Sequence, residues 1–262
     1  MENSELIKLK EELKRKPWFA ASDPAIQAKI LGLDKESKGF IAHLVNRQTE
    51  GGGTRTLRLQ DLLIPEGKLY GIFVNFLVEK ISDPTVKYCY QYFVWKQGEE
   101  SGAKGIILVQ KEGKISHVIC LRGFSFAIGG GEAWDCIGGF SEADEAGGSG
   151  MLGRFKTETL EELGLESLPL QEVITLGKVY PDRGMTPNAP QLFAAIIDGS
   201  DMQIVRQAGG NTDSYEMESG AVIVPVEDLW GPKGFLFLNE DALFLSCITR
   251  LMALGVIKQG AI

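Results

Sequence analysis

The chain has 262 residues, of which 44% are hydrophobic and 24% are charged, a composition typical of a soluble globular protein. Its formal net charge is −8, and proteins that bind nucleic-acid polymers usually carry a basic face, so such a polymer is not the expected partner. The N-terminal segment has no apolar signal-peptide core, and no run approaches about eighteen apolar residues, so a cytoplasmic protein without a membrane span is predicted.

The first 58 residues are predicted to form an N-terminal helical extension, followed by a main domain over residues 59–262. Leucines recur along one side of residues 4–16, which indicates an amphipathic helix. A second helix is predicted after Asp23, because Pro24 suits a first helical turn. His43 lies in a later apolar segment, where a hydrogen-bonded core histidine is a more common role than a metal ligand.

Strand patterns begin at Leu69. Residues 69–95 contain two segments rich in aromatic and β-branched side chains, and residues 105–124 have the pattern of a hairpin with a turn near Gly113. A further strand, a turn and another strand are predicted over residues 170–198. The last helix is predicted after Asn239, which is a good N-cap residue. The four cysteines are widely spaced and are predicted to be core residues rather than zinc ligands or disulfide partners (Cys89, Cys120, Cys136, Cys247).

Residues 138–165 combine a glycine-rich loop with a short acidic helix. The helix is predicted from Gly153 or Arg154 to Leu163, with Gly164 ending it. Three glutamates at positions i, i+3 and i+4 share one helix face (Glu158, Glu161, Glu162). Like charges at this spacing repel each other. A hard divalent cation such as Mg²⁺ or Mn²⁺ would relieve the repulsion, and a solvated acidic face is the alternative.

This stretch resembles the Nudix box, Gly-x5-Glu-x7-Arg-Glu-U-x-Glu-Glu-x-Gly-U, where U is aliphatic. The matching residues are Gly139, Glu145, Glu158, Glu161, Glu162, Gly164 and Leu165. Two features depart from the pattern. The spacer after Glu145 is longer than the family's seven residues, and Thr157 and Thr159 stand where the family has its arginine and an aliphatic residue. The family arginine orients the glutamates, and Arg154, one turn earlier, is the candidate to replace it.

The resemblance implies an α/β/α sandwich with a mixed β-sheet over roughly residues 69–258, and hydrolysis of a nucleoside diphosphate linked to another group. It implies Mg²⁺, or Mn²⁺, held by Glu158, Glu161 and Glu162 with support from Gly139. Such an ion neutralises pyrophosphate charge and lowers the pKa of a bound water. Because relatives of the ADP-ribose type are often dimers, a homodimer is a further expectation.

Other segments resemble the subgroup that acts on ADP-ribose and nucleoside diphosphate sugars. Arg122 and Trp134 are candidate substrate-binding residues next to the box, and Pro181 and Arg183 are candidates in the segment after it. In that subgroup a later loop supplies a glutamate for the catalytic water or an extra metal. Glu216 and Glu218 are the candidates here, and Glu158 and Glu162 are candidate catalytic residues as well.

Two alternatives stay open. The altered spacer and the missing box arginine also fit a binding or regulatory module of the same fold with weak or no catalysis. Such a module would bind nucleotide and gain thermal stability without cleaving it. Isomerase chemistry on the same fold would need a reactive cysteine in an electropositive pocket, and Cys136 has no basic neighbour in the sequence.

Overall fold

The structure is a computed structural model that describes residues 2–47, 55–64, 71–125, 131–141, 148–210 and 220–258. The chain divides into two compact units. The first contains the described residues up to Ser101 together with Asp182–Ala189. The second contains the described residues from Gly102 to Ser141, those up to Pro181, and those from Pro190 onward.

The first unit packs helices against a three-stranded antiparallel sheet. Its elements are α1 (Glu2–Lys14), α2 (Pro17–Ala20), α3 (Pro24–Leu31), α4 (Lys38–Asn46), β1 (Arg55–Leu63), β2 (Gly71–Lys80) and β3 (Asp83–Trp95). Asp23 caps α3, as Ala25 N donates to its carboxylate at 2.7 Å. One apolar core joins helix residues such as Phe40 to sheet residues such as Phe76, and both are fully buried.

The second unit contains a six-stranded mixed sheet in the order β6-β5-β4-β8-β7, with β9 also paired to β5. Its strands are β4 (Ala103–Lys111), β5 (Lys114–Ser125), β6 (Gly131–Asp135), β7 (Glu172–Lys178), β8 (Gln191–Asp198) and β9 (Gly220–Pro225). Its helices are α5 (Gly148–Leu163), α6 (Met202–Gln207), α7 (Phe235–Leu238) and α8 (Ala242–Ala253). β4 and β8 are parallel, and the other pairs are antiparallel.

Alternate residues of β4 face opposite layers, because side chains alternate along a strand. Ile106 and Leu108 lie in one core with Phe244 of α8. Ile107 and Val109 lie in another core with Phe155 of α5. The sheet is therefore enclosed between α5 and α8, which confirms the predicted α/β/α sandwich with a mixed sheet.

The division between the units differs from the predicted boundary at residues 58 and 59. That position falls inside β1, which pairs with β2 along its length. Local sequence could not place the boundary, because strand pairing joins residues 55–95 into one sheet and the N-terminal helices pack on that sheet through a shared core. The β4–β5 hairpin was predicted correctly, and Glu112 and Gly113 form its turn with positive φ angles.

Candidate functional site

The acidic helix is α5, and it is longer than the sequence predicts. It begins at Gly148, so much of the long spacer is helical, and it ends at Leu163. Gly164 has a φ of 65° and Leu165 N donates to Leu160 O at 2.8 Å, so glycine ends the helix as predicted. No helix in the described ranges is long and apolar enough to span a membrane.

Glu158 lies at the centre of the site. Its side chain is buried although it carries a carboxylate, and the residue is only 6% exposed. The carboxylate lies directly against the backbone of Gly139, where a β-carbon would overlap it. A side chain at position 139 would displace the Glu158 carboxylate from this position, whereas glycine lets the loop approach the helix this closely.

Arg154 forms an ion pair with Glu158 across one helical turn. Arg154 therefore lies beside the buried glutamate, as expected of the candidate to replace the family's arginine. Thr157, at the family's arginine position, is exposed. Thr159 is buried like the aliphatic residue it replaces, because its Oγ1 donates to Phe155 O at 2.7 Å and no polar atom is left unsatisfied.

Crowding of like charges perturbs the site. Burial raises the pKa of Glu158 to about 7; Arg154 opposes this shift, and the charges of Glu162 and Glu161 add to it. Glu161 is exposed and Glu162 is half-buried. A carboxyl group with a pKa near neutrality, in a group of acids, is a candidate functional residue.

The chemistry of these donors fits a hard divalent cation, because carboxylate oxygens are the ligands such ions prefer. Arg154 Nε is buried and has no hydrogen-bond partner, so the Arg154–Glu158 pair does not satisfy every polar atom at this contact. Within the described residues, however, no three His, Cys, Asp or Glu side chains form a group that could hold a metal ion. Assignment of Glu158, Glu161, Glu162 and Gly139 to a metal stays a prediction.

The structure brings two of the predicted substrate-binding residues together. Arg122 on β5 is directly opposite Trp134 on β6, and residues in such cross-strand pairs have β-carbons about 5 Å apart. Trp134 also packs edge-to-face on Phe235, with 5.4 Å between ring centroids. A cationic residue and an aromatic residue are therefore neighbours on adjacent strands of the sheet.

The remaining predicted site residues are Glu145, Pro181, Arg183, Glu216 and Glu218. Glu145, Glu216 and Glu218 lie outside the described residues. Pro181 is exposed after β7. Arg183 belongs to the other unit, where its segment is attached to β3 because Phe93 N donates to Met185 O at 2.8 Å.

The cysteines are mostly core residues, as predicted. Cys120, Cys136 and Cys247 are buried, whereas Cys89 is exposed, so the prediction was wrong for Cys89. Burial raises the pKa of the Cys136 thiol well above its usual value, and Cys247 adds to the shift. A thiol of this kind is a poor nucleophile at neutral pH, which argues against the isomerase alternative.

Three charged residues near the site were missed in the sequence. Lys104 Nζ is 3.1 Å from Asp135 Oδ2 and donates to Cys136 O at 3.3 Å. Asp241, rather than the predicted Asn239, is the N-cap of α8. The N-cap was misassigned because Asn239 and Asp241, two positions apart, are equally good N-cap residues. Lys104 was missed because nothing in the local sequence indicates that it faces Asp135.

Comparisons with known proteins leave the family open. No family model matches the chain, and no curated protein matches it. The crystal structure of an ADP compounds hydrolase is similar, with a TM-score of 0.48 and 12% sequence identity, covering 77% of this chain and 97% of that chain. At this TM-score and identity the likeness carries no conclusion about function.

Proposed function

We propose that the protein is a Mg²⁺-dependent hydrolase that cleaves the pyrophosphate bond of a nucleoside diphosphate linked to another group, such as ADP-ribose or a nucleoside diphosphate sugar. One observation carries the proposal: the box residues Gly139 and Glu158 are in direct contact, and Arg154 is paired with that glutamate. The contact joins the two halves of the motif, which are separated by an unusually long spacer in the sequence.

Each residue has a role in this proposal. Glu158 and Glu162 would hold the cation, with Glu161 beside them, and the cation would neutralise pyrophosphate charge and activate a water. A carboxyl group with a pKa of about 7 is also suited to accept the proton of the attacking water, because general bases act best near their own pKa. Arg154 would keep the Glu158 carboxylate in one orientation.

Substrate binding would use the Arg122–Trp134 pair. The Arg122 guanidinium suits a phosphate oxygen, since its planar fork can donate two hydrogen bonds. The Trp134 ring, held by Phe235, offers a face on which a base could stack. A binding site for an anionic substrate needs such a local cation, because the net charge of the chain is −8.

The test is to measure hydrolysis of a panel of nucleoside diphosphate compounds with Mg²⁺ and Mn²⁺. Glu162→Gln keeps the size of the side chain and removes its charge, so turnover should fall by at least about 100-fold, the usual contribution of an acid–base or ligand group. Glu166→Gln is the matched control, because Glu166 is exposed and follows the helix. No turnover by the unaltered protein, or equal turnover by both variants, would reject the proposal.

A second candidate is a nucleotide-binding module without catalysis. It is favoured by the finding that the described acids form no ready metal group. In that case ADP-ribose would raise the melting temperature, and chromatography would recover it intact after prolonged incubation with Mg²⁺.

A further inference from the structure

Backbone hydrogen bonds hold the segment that brings Gly139 to Glu158. Ile137 exchanges two hydrogen bonds of 2.8 Å with Gly105, and Gly139 O accepts from Ala103 N at 3.1 Å. These bonds attach the segment to β4. Many sequences could form these backbone bonds. The side chains specific to this sequence act on the preceding residue, Cys136.

Cys136 is held by two charged side chains of opposite sign. Its N–H donates to Asp241 Oδ2 at 3.3 Å, and its carbonyl accepts from Lys104 Nζ at 3.3 Å. Asp241 also accepts from Leu243 N and Phe244 N, both at 3.0 Å, so its carboxylate is fixed to the first turn of α8. Lys104 projects from β4 and also pairs with Asp135. The Cys136 backbone is thereby attached to both a helix and a strand.

The charges around this residue are matched to the two backbone groups. Burial alone would lower the pKa of Lys104, but Asp135, together with Cys136 and Glu162, raises the pKa above its usual value, which keeps the ammonium charged. An ammonium donates to the carbonyl and a carboxylate accepts from the N–H, and hydrogen bonds to charged groups are about twice as strong as neutral ones. The two charged side chains therefore satisfy the N–H and the carbonyl of a buried residue for which the neighbouring strand provides no backbone partner.

We propose that Lys104 and Asp241 are positioning residues for the candidate site: by holding the Cys136 backbone between them, they set how closely Gly139 approaches Glu158. This inference rests on the proposed hydrolase function for its kinetic consequence. Both side chains contact the backbone of Cys136, and through residues 136–139 they affect whether Gly139 can lie against the buried carboxylate. The Lys104 charge also acts on Glu162, and Lys104→Arg keeps that charge.

Two variants test the proposal. Asp241→Asn keeps an oxygen that can cap α8, because asparagine is also a good N-cap, but its amide group would face the Cys136 N–H as a second donor. Lys104→Met keeps most of the length of the side chain and loses its charge. Matched controls are Asp23→Asn, which changes the cap of α3, and Lys96→Met, since the Lys96 side chain is 17% exposed and that of Lys104 is 22% exposed.

The expected result is a fall in kcat of about 10- to 100-fold in both variants with KM changed less than threefold, as for residues that orient ligands from behind. Lys104→Arg, which keeps the donor and the charge, should restore most of kcat. The two control variants should retain the kcat of the unaltered protein. If kcat falls equally in Lys104→Met and Lys104→Arg, or in the controls, the positioning role is wrong.

Amide hydrogen exchange gives a readout that does not depend on activity. In both variants exchange should accelerate at Cys136 and at Ala103, whose N–H donates to Gly139 O, while the melting temperature changes by only a few degrees. Faster exchange at Cys136 alone, with Ala103 and kcat unchanged, would overturn the proposal. If the unaltered protein hydrolyses nothing, the proposed function fails, and exchange at Ala103 still decides whether the two residues position Gly139. If Asp241→Asn does not fold, Lys104→Met and its arginine counterpart decide the question.

Discussion

In each unit a cluster of polar side chains surrounds one buried residue, Tyr92 or Glu158, and the two clusters are built in opposite ways. We call them the Tyr92 cluster (His43, Arg47, Tyr92 and Glu99) and the Glu158 cluster (Arg154, Glu158, Glu161 and Glu162). In the Tyr92 cluster most donors have acceptors, although the buried Arg47 Nε has no hydrogen-bond partner, like Arg154 Nε in the Glu158 cluster. Arg47 Nη1 donates to the Tyr92 hydroxyl at 2.7 Å, and the His43 nitrogens are 3.2 Å from that hydroxyl and from Glu99 Oε1.

The Glu158 cluster pairs one arginine with one of three carboxylates on the same helix face. In the Tyr92 cluster, the guanidinium of Arg47 also lies 4.4 and 4.7 Å from the Phe76 and Tyr92 ring centres, and these ring faces attract its charge. In the Glu158 cluster, burial raises the pKa of Glu158 to about 7, and repulsion from Glu162 and Glu161 adds to the rise. A cluster that costs stability is a better functional candidate than one that contributes it, since structural networks are usually satisfied.

The largest expected effect is the loss of kcat when the charge of Glu158 is removed. Glu158→Gln should lower kcat by about 100- to 10,000-fold if Glu158 acts as ligand or base. The same change should stabilise the metal-free protein at pH 8, because glutamine resembles the protonated carboxyl that the site prefers. His43→Gln, the counterpart in the other cluster, should lower stability and leave kcat unchanged. Kinetics and urea denaturation of both variants measure this, and a stability loss in Glu158→Gln without loss of kcat would reverse the comparison.

The acid cluster should also make stability depend on pH. The folded-state pKa of Glu158 is about 7 against 4.5 for the free side chain, so the folded state binds more protons between these values. The metal-free protein should therefore lose stability as pH rises from about 4.5 to 7, by about 3 kcal/mol, at about 1.4 kcal/mol per pKa unit.

Urea denaturation in EDTA from pH 5 to pH 8 tests that slope. The Glu158→Gln variant is the control and should lack the slope, whereas Glu166→Gln should keep it. Added Mg²⁺ should restore stability at pH 8 if it binds the carboxylates. Equal slopes in Glu158→Gln and the unaltered protein would show that the pKa of Glu158 is not raised.

The sequence predicted the parts of the Glu158 cluster that depend on local spacing. Helical periodicity was enough to place the three glutamates on one face, and Gly164 was enough to end the helix. Local spacing could not show that Glu158 would be buried, because its burial depends on Gly139 reaching it from 19 positions away in the chain. Lys104 and Asp241 were missed for the same reason, since their common partner Cys136 is remote from both.

The Tyr92 cluster was predictable only in outline. His43 was expected to be a satisfied core residue, and its burial with two partners confirms that. Its partners Tyr92 and Glu99 could not be identified, because the boundary at residues 58 and 59 assigned them to the other domain. Pairing of β2 with β3 and packing of α4 on that sheet bring them together, and both are long-range events.

A medium effect should come from Tyr92→Phe. The change leaves Arg47 and His43 without their shared partner in a buried site, which costs about 1–3 kcal/mol. Tyr88→Phe is a matched control because Arg55 Nη1 donates to its hydroxyl at 2.6 Å, yet Tyr88 is 45% exposed whereas Tyr92 is 3% exposed. Water can replace that bond, so the control should change stability by at most about 0.5 kcal/mol. Equal losses measured by urea denaturation would mean that burial of the cluster contributes nothing.

The smallest effect should come from Glu99→Gln. Burial lowers the pKa of His43, and the hydrogen bond from its Nδ1 to the Glu99 carboxylate opposes that shift, so loss of the Glu99 charge should lower the pKa further. The sign is opposite to that of Glu158: a histidine with a lowered folded pKa loses stability as pH falls below the unfolded value of 6.5. Because the Glu99 side chain is 52% exposed, the stability change at pH 7 should stay below about 1 kcal/mol.

NMR titration of His43 measures the shift, and a rise in its pKa would show that Glu99 does not stabilise the protonated ring. Opposite pH slopes would then show that the Tyr92 cluster stabilises the neutral form of His43, whereas the Glu158 cluster destabilises the ionised carboxylate until a cation neutralises it.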